Sequence, residues 1–197
     1  MPTKEVLMLQ KYFKFIGAKY SHSFREATDE EMDKLKELAG RELPEDFVEL
    51  FRHAMPTEEV EVSGITFYPL ERIIAENKEY VPGRNVSPYG LFAFASTEEG
   101  DPVCVDLVHE PHTIWHCPHD LLSDGKEISF CKDEMITLPF NYDTVTDFSG
   151  CIGEDLDEFL EMLITRTIEL YTVTEIIDLN YRDALKKYPQ QANKGKE

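Results

Sequence analysis

The sequence predicts an α+β fold in which a mainly antiparallel central sheet packs against helices. Two observations carry this prediction. Helical periodicity dominates both ends of the chain, whereas the middle contains short apolar runs that are separated by turns. Strands that follow one another without helical crossovers pair antiparallel. A chain of 197 residues, 42% of them hydrophobic, can bury one core with appendages.

The first two helices are indicated by their apolar spacing and by their end signals. An N-terminal helix is predicted over Lys4–Gly17, where the glycine is the expected stop. The second helix begins at Thr28, since Glu31 three residues later completes a capping box. Gly40 is expected to end this second helix.

A third helix follows a short joint, and a hairpin follows the helix. Pro44 suits a first helical turn, and the Met55-Pro56 step ends the apolar stripe. The alternating pattern over Val60–Phe67 around Ser63-Gly64 predicts a hairpin or a kinked strand. A short helix is predicted over Leu70–Asn77.

The central block predicts strands, and the C-terminal part predicts two further helices. Pro82-Gly83 and Ser87-Pro88 predict a loop before the strands. Helical spacing returns at Glu154, and Thr172 with Glu175 forms a second capping box for a last helix. The candidate strands are Leu91–Ala95, Val103–Val108, Thr113–Cys117, Ile128–Cys131 and Val145–Phe148.

These elements, in this order, resemble the SUKH superfamily, which includes fungal cell-wall-assembly regulators and many bacterial proteins. Leu43–Phe47 is similar to its LPxDF helix start, and Leu156–Leu160 is similar to its closing helix motif. Gly64-Ile65 with the following Tyr68–Glu71, and Leu91–Ala95 with the following hairpin, also resemble the family pattern. The chain departs from it in lacking an Asn-Gly-Gly turn after Phe51 and in having Leu156 where the family has Phe.

The resemblance covers roughly residues 27–164 and divides the chain. We expect an N-terminal helix and joint over residues 1–26, a SUKH-like domain over 27–164 and a helical extension over 165–188. Residues 189–197 are polar and are expected to form a flexible tail. The last helix, over residues 172–188, either packs back on the core or forms a homodimer face.

Net charge indicates which class of partner the surface favours. The chain carries 39 acidic against 20 basic residues, a net charge of −19, so it repels nucleic-acid backbones and attracts basic proteins. The resemblance implies a bacterial immunity protein that binds and neutralises a toxin, frequently a nuclease. The alternative function is an adaptor or regulator with a non-toxin partner. The alternative role for the acidic residues is a solvated surface that keeps the protein soluble. The candidate contact residues are Glu58, Glu59, Glu61, Asp101, Asp106 and Trp115, of which Trp115 is otherwise a core residue.

A cluster of histidines raises a metal-dependent enzyme as a further alternative. Residues 109–119 contain four histidines and Cys117, which are zinc-ligand types, but their spacing fits no standard finger. Strand alternation would scatter them to both faces, so we expect exposed histidines, with no metal, cofactor or catalytic residue. The absence of a signal-like N-terminus, of a long apolar stretch and of paired cysteines predicts a cytoplasmic protein with reduced thiols.

Overall fold

The structure, a computed structural model, describes residues 4–132 and 135–188, without the side chains of the first four. The predicted flexible tail, residues 189–197, lies outside these ranges. The helices are α1 (Lys4–Lys19), α2 (Asp29–Ala39), α3 (Glu45–His53), α4 (Leu70–Lys78), α5 (Gly83–Val86), α6 (His119–Leu122), α7 (Tyr142–Asp147), α8 (Leu156–Thr165) and α9 (Val173–Lys187). The strands are β1 (Phe24–Arg25), β2 (Met55–Pro56), β3 (Val60–Val62), β4 (Ile65–Phe67), β5 (Leu91–Thr97), β6 (Pro102–Asp106), β7 (Ile114–His116), β8 (Glu127–Cys131), β9 (Met135–Pro139) and β10 (Gly150–Gly153).

Six strands form the central sheet, in the order β10-β7-β6-β5-β4-β3. Every neighbouring pair in this sheet is antiparallel, so the predicted α+β fold with an antiparallel sheet is confirmed. The strands β1 and β2 pair with each other outside this sheet, as do β8 and β9.

Both faces of the central sheet are covered, because every residue of β5 and β6 is buried. Successive side chains of a strand point to opposite faces. Phe92 and Phe94 accordingly enter a first core with α1, α2, α3 and α8. Leu91 and Ala93 enter a second core with the β8–β9 hairpin, α7 and α9. The molecule therefore has three layers, with the sheet in the middle.

The structure confirms the helix caps and the hairpin turn that the sequence predicted. Thr28 and Thr172 each form a complete capping box with the glutamate three residues later. Gly40 ends α2 in the left-handed conformation, with a φ of 61°. The β3–β4 turn is made by Ser63 and Gly64, whose φ angles are 57° and 85°.

Other boundaries were predicted wrongly. The first helix continues through Gly17 to Lys19. Val145–Phe148 was predicted as a strand, but the segment lies in and just after α7, because Asn141 caps a helix there by accepting from the Thr144 amide. The segment predicted as a loop contains α5, and the strands β9 and β10 were not predicted.

Both terminal helices pack on the central part of the chain. Helix α1 contributes Met8, Leu9, Tyr12 and Ile16 to the first core. Helix α9 buries Ile176 and Ala184 in the second core. Of the two roles expected for α9, the structure shows the contact with the core, and homodimer formation stays a prediction. The division of the chain at residues 26 and 164 also stays a prediction.

The side chain of Asn77 completes the hydrogen bonding of β5 where strand pairing ends. Strand β4 pairs with Ala95–Thr97 only, and the register of β5 with β6 shifts between Ala93 and Ala95. The Asn77 amide donates to the Ala93 carbonyl at 2.7 Å and accepts from the Ala93 amide at 3.0 Å. Both backbone groups are thus satisfied in a buried position, where leaving them unpaired would be costly.

We expect Asn77→Ala to lower the free energy of unfolding by about 2–4 kcal/mol, because two buried backbone groups lose their partners. Urea denaturation measures this change. Asn180→Ala is the matched control, since within the described ranges the Asn180 side chain makes only the bond to the carbonyl four residues earlier that Asn77 also makes. It should cost less than about 1 kcal/mol. Equal losses in the two variants would contradict the role of Asn77 at β5.

Candidate partner-binding surface

One end of the sheet carries a cleft that we call the acidic cleft. It lies between the β3–β4 turn, the β5–β6 turn and residues 166–172, which connect α8 to α9. Its volume is about 300 Å³. The residues that line it are Ser63, Gly64, Thr97, Glu98, Glu99, His116, Ile168, Leu170, Tyr171 and Thr172.

Regular hairpin geometry positions the two turns of this cleft. Ile65 lies opposite Thr97 in the sheet, so the β3–β4 turn and the β5–β6 turn end side by side. The Ser63 hydroxyl donates to the Leu163 carbonyl at 2.7 Å, which ties the first turn to the end of α8. The second turn is closed by the Gly100 amide, which donates to the Thr97 carbonyl at 3.0 Å.

Of the predicted contact residues, Glu61 lies beside this cleft. Its carboxylate accepts from the Gly64 amide at 3.4 Å. The Glu98 carboxylate lies on the same glycine, 3.8 Å from where a β-carbon would stand. Two acidic side chains therefore flank the β3–β4 turn, and Glu99 is exposed next to them.

Glu58 and Glu59 are exposed at the opposite end of β3, close to α4. A carboxylate oxygen of Glu59 lies 3.7 Å from Arg72 Nε. The same arginine contacts the buried Glu76 at 3.1 Å and lies over the Tyr80 ring. Glu59 is thus partly neutralised within the molecule. Neither Glu58 nor Glu61 forms an ion pair within the described chain.

Asp101, a second predicted contact residue, is buried, with 4% of its surface exposed. It accepts from His116 Nε2 at 2.8 Å, from the His119 backbone amide at 2.9 Å and from the His119 ring. Burial alone would raise the pKa of Asp101, but the hydrogen bonds from the two histidines outweigh it and hold that pKa below its usual value. The structure therefore places Asp101 under the surface, as an internal acceptor.

Asp106 is also buried, with 2% of its surface exposed, at the end of β6. It accepts from the Val108 amide at 2.7 Å and from the Tyr142 hydroxyl. Burial, and then the contact with Asp106, raise the pKa of Tyr142 well above its usual value. The expectation that Asp101 and Asp106 belong to an exposed contact surface does not fit these positions.

Trp115 lies on β7 and packs, half-buried, against the second core. Its backbone is opposite Cys104 in β6 and Cys151 in β10, so strands flank it on both sides. The sequence analysis gave two roles for Trp115, a partner contact and a core residue, and this position is that of a core residue. A direct contact between Trp115 and a partner stays a prediction.

The histidines at residues 109–119 do not converge on one point. His109 contacts the Tyr142 hydroxyl, His112 contacts the Asp106 carbonyl, and His116 with His119 contacts Asp101. Within residues 4–132 and 135–188 no group of three or more metal-ligating side chains is found. The prediction that these histidines are exposed is wrong for His116, which is 4% exposed.

None of the predicted contact residues lines the cleft itself, and sequence reasoning missed Glu98, Glu99 and Tyr171, which do. The two glutamates precede Gly100 in a turn, and this turn signal next to a charge pair could have placed them at a strand end. No local signal identifies Tyr171, because its position depends on where the connection between α8 and α9 crosses the sheet edge.

The fold and the cleft describe an α+β domain with acidic residues around a cleft at one end of its sheet. The chain matches the SMI1 / KNR4 family (SUKH-1) over residues 26–148. This match covers more than half of the chain, so the protein belongs to that family, and the resemblance found in the sequence is confirmed over these residues. The closing motif Leu156–Leu160 lies outside the match. The family is not a known enzyme family. No curated protein matches the chain, and none of the described helices could span a membrane.

We expect Asp101→Ala to lower the free energy of unfolding by about 3–5 kcal/mol, because it leaves His116 and the His119 amide without their buried acceptor. Chemical denaturation at pH 7 measures the loss. Asp120→Ala is the control, since Asp120 is exposed and lies 3.2 Å from the other nitrogen of His119. It should cost under about 1 kcal/mol. A small effect of Asp101→Ala would show that the buried network contributes little.

The Asp101–His119 contact should make stability depend on pH in a defined window. The hydrogen bond to Asp101 raises the pKa of His119. The stability that His119 contributes is therefore complete below about pH 6.5, which is its pKa in the unfolded chain, and is lost as the pH rises through its pKa in the folded protein. The pKa of Asp101 is lowered in the folded protein. The stability that Asp101 contributes is therefore complete above about pH 4 and is lost as the pH falls through its pKa in the folded protein.

The stability difference between wild type and His119→Gln should therefore be larger at pH 5.5 than at pH 8.5. Urea titrations at the two pH values measure it. His22→Gln, at an exposed histidine, is the control and should show no such difference. If His119→Gln lowers the free energy of unfolding equally at both pH values, the charged form of the His119 ring does not stabilise the fold.

Proposed function

We propose that this protein is a cytoplasmic immunity-type protein that binds a basic bacterial toxin one to one and blocks its active site. The observation that carries the proposal is membership of the SUKH-1 family over residues 26–148. Family resemblance implies toxin neutralisation for bacterial members, and a nuclease is the toxin class that the charge favours. A nuclease site is built to receive phosphates, and a carboxylate-rich surface can occupy it.

Charge supports the same class of partner. The net charge of −19 gives a field that accelerates encounter with a basic protein. The exposed carboxylates of Glu61, Glu98 and Glu99 lie at one end of the sheet, and the exposed carboxylate of Glu58 lies near the other end of the edge strand β3. We place the contact there, with Glu59 contributing less because Arg72 already neutralises part of its charge.

Growth rescue tests the proposal directly. Co-expression with the cognate toxin domain should restore growth, and the purified pair, with the toxin inactivated at its catalytic residue, should form a one-to-one complex. Absence of rescue and of complex formation would refute the immunity function. Binding of a basic, non-toxic protein without rescue would instead support an adaptor of the same fold.

We expect Glu58→Gln/Glu61→Gln to slow association with the inactivated toxin roughly three- to tenfold at low salt, because exposed charges act mainly on the association rate. Stopped-flow or surface-based kinetics at two salt concentrations measure the rate. Asp33→Asn/Glu37→Gln removes the same charge from exposed positions of α2 and is the matched control. Equal slowing in both variants would show that net charge, and not the carboxylates beside the edge strand β3, steers the partner.

A further inference from the structure

Strand β3 leaves one edge of the central sheet open. It is the last strand in the order β10-β7-β6-β5-β4-β3, and its one partner among the described strands is β4. The neighbouring β1–β2 pair ends before β3, because the last backbone bond beside that pair joins the Thr57 amide to the Ser23 carbonyl. Val60–Val62 therefore has a free side on which a further strand can pair.

The register of the β3–β4 hairpin directs the backbone of Glu61 to this free side. Val62 and Ile65 flank the two-residue turn, so this pair exchanges both of its hydrogen bonds across the hairpin. Val60 and Phe67 form the next pair of this kind. Glu61 lies between the two pairs, so its N–H and C=O point away from β4. Among the described residues, neither group forms a backbone hydrogen bond outside the strand pairing, and Glu61 is exposed.

The opposite edge of the sheet is less suited to pairing. The register of β10 with β7 shifts between Cys151 and Gly153, and such an irregularity disrupts the row of backbone groups that a further strand needs. The Tyr171 ring also lies against β10, 3.4 Å from where a β-carbon on Gly150 would stand. Strand β3, in contrast, pairs in regular register and contains no proline. The open edge is therefore that of β3.

The carboxylates beside this edge decide what can pair with it. Glu58, Glu59 and Glu61 are exposed along it, and Arg72 is the one basic side chain that forms an ion pair with any of them within the described ranges. Pairing of β3 with β3 of a second copy would bring these carboxylates together, and like charges on facing strands are destabilising. A strand that carries lysine or arginine would meet them with the opposite charge. The occupant that fits is a basic, extended segment.

We propose that an extended, basic segment of the partner adds to β3 as a further strand of the six-stranded sheet, an inference that rests on the proposed binding of a basic toxin. The backbone of this segment bonds the amide and the carbonyl of Glu61, which supplies affinity whatever its side chains are. Lysine or arginine at every second position lies on the Glu61 face of the sheet and supplies specificity, because alternate residues of a strand share a face.

Hydrogen exchange of the free, full-length, ¹⁵N-labelled protein gives the first test. The Glu61 amide should exchange at least about tenfold faster than the Val60 and Val62 amides, because only those two are bonded to β4. Equal protection of the three amides would show that the edge is already covered and would overturn the proposal.

Strand addition itself is tested by titration with a short, acetylated peptide amide in which lysine alternates with threonine. We expect millimolar binding, with the largest chemical-shift changes at the Glu61 amide and along β3 and β4. The same peptide with its central peptide nitrogens methylated keeps the charge but loses the donors, and it should bind at least about fivefold more weakly. A peptide with glutamate for lysine should bind at least about tenfold more weakly. Equal binding of the methylated peptide would overturn backbone pairing, and shifts spread evenly over the acidic surface would overturn the site.

Two substitutions of Glu61 separate its backbone from its charge. Glu61→Gln keeps the amide and should weaken binding of the lysine peptide only about two- to threefold. Glu61→Pro also removes the outward amide, which an edge strand tolerates, and should weaken binding at least about fivefold further. Retained exchange protection of the Val62 and Ile65 amides verifies that the hairpin is intact, and the methylated peptide decides if it is not. Equal weakening by the two substitutions would show attraction by charge only and would overturn the proposal.

The cognate toxin, inactivated at its catalytic residue, separates this inference from the proposed function. Its binding should slow hydrogen exchange of the Glu61 amide. If the toxin is neutralised but exchange of this amide is unchanged, only the added strand is wrong. If the lysine peptide pairs with β3 but co-expression gives no rescue, the strand site stands and the immunity function is wrong.

Discussion

Two strands at the centre of the sheet, β5 and β6, bury every one of their residues, and this constraint organises the molecule. A sheet that is apolar on both faces needs cover on both. Helices α1, α2, α3 and α8 cover one face, while the β8–β9 hairpin, α7 and α9 cover the other. The two cores thereby cover both faces of β5 and β6, so the exposed parts of this sheet lie at its edges and turns.

The features that were predicted correctly are those whose physical cause lies within a few residues. Thr28 caps the amide of Glu31, and Gly40 adopts a left-handed conformation that other residues avoid. Val145–Phe148 was assigned wrongly because three of its four residues are apolar or β-branched, and so short a run fits a strand and a helix equally well. Strand β9 was not predicted because it forms by pairing with β8, and the residue pattern within the segment alone does not reveal that pairing.

The candidate site shows the same division between local and distant causes. Alternation along β3 correctly indicated that Glu61 points outward between two buried valines. Asp101 and Asp106 looked equally acidic in the sequence, yet each is held inside by a partner far along the chain. His116 lies 15 residues from Asp101, and Tyr142 lies 36 residues from Asp106. Composition counts such carboxylates as surface charge, and only the fold shows that they are internal acceptors.

The β5–β6 turn is closed by its own backbone. The Thr97 amide bonds the Asp101 carbonyl at 2.9 Å, and the Gly100 amide bonds the Thr97 carbonyl at 3.0 Å. The side chains of Glu98 and Glu99 have no part in these bonds, so their replacement leaves the scaffold intact. Mutation at these two positions is therefore nearly free of structural cost, so their charges can vary among descendants of this protein while the interior stays the same.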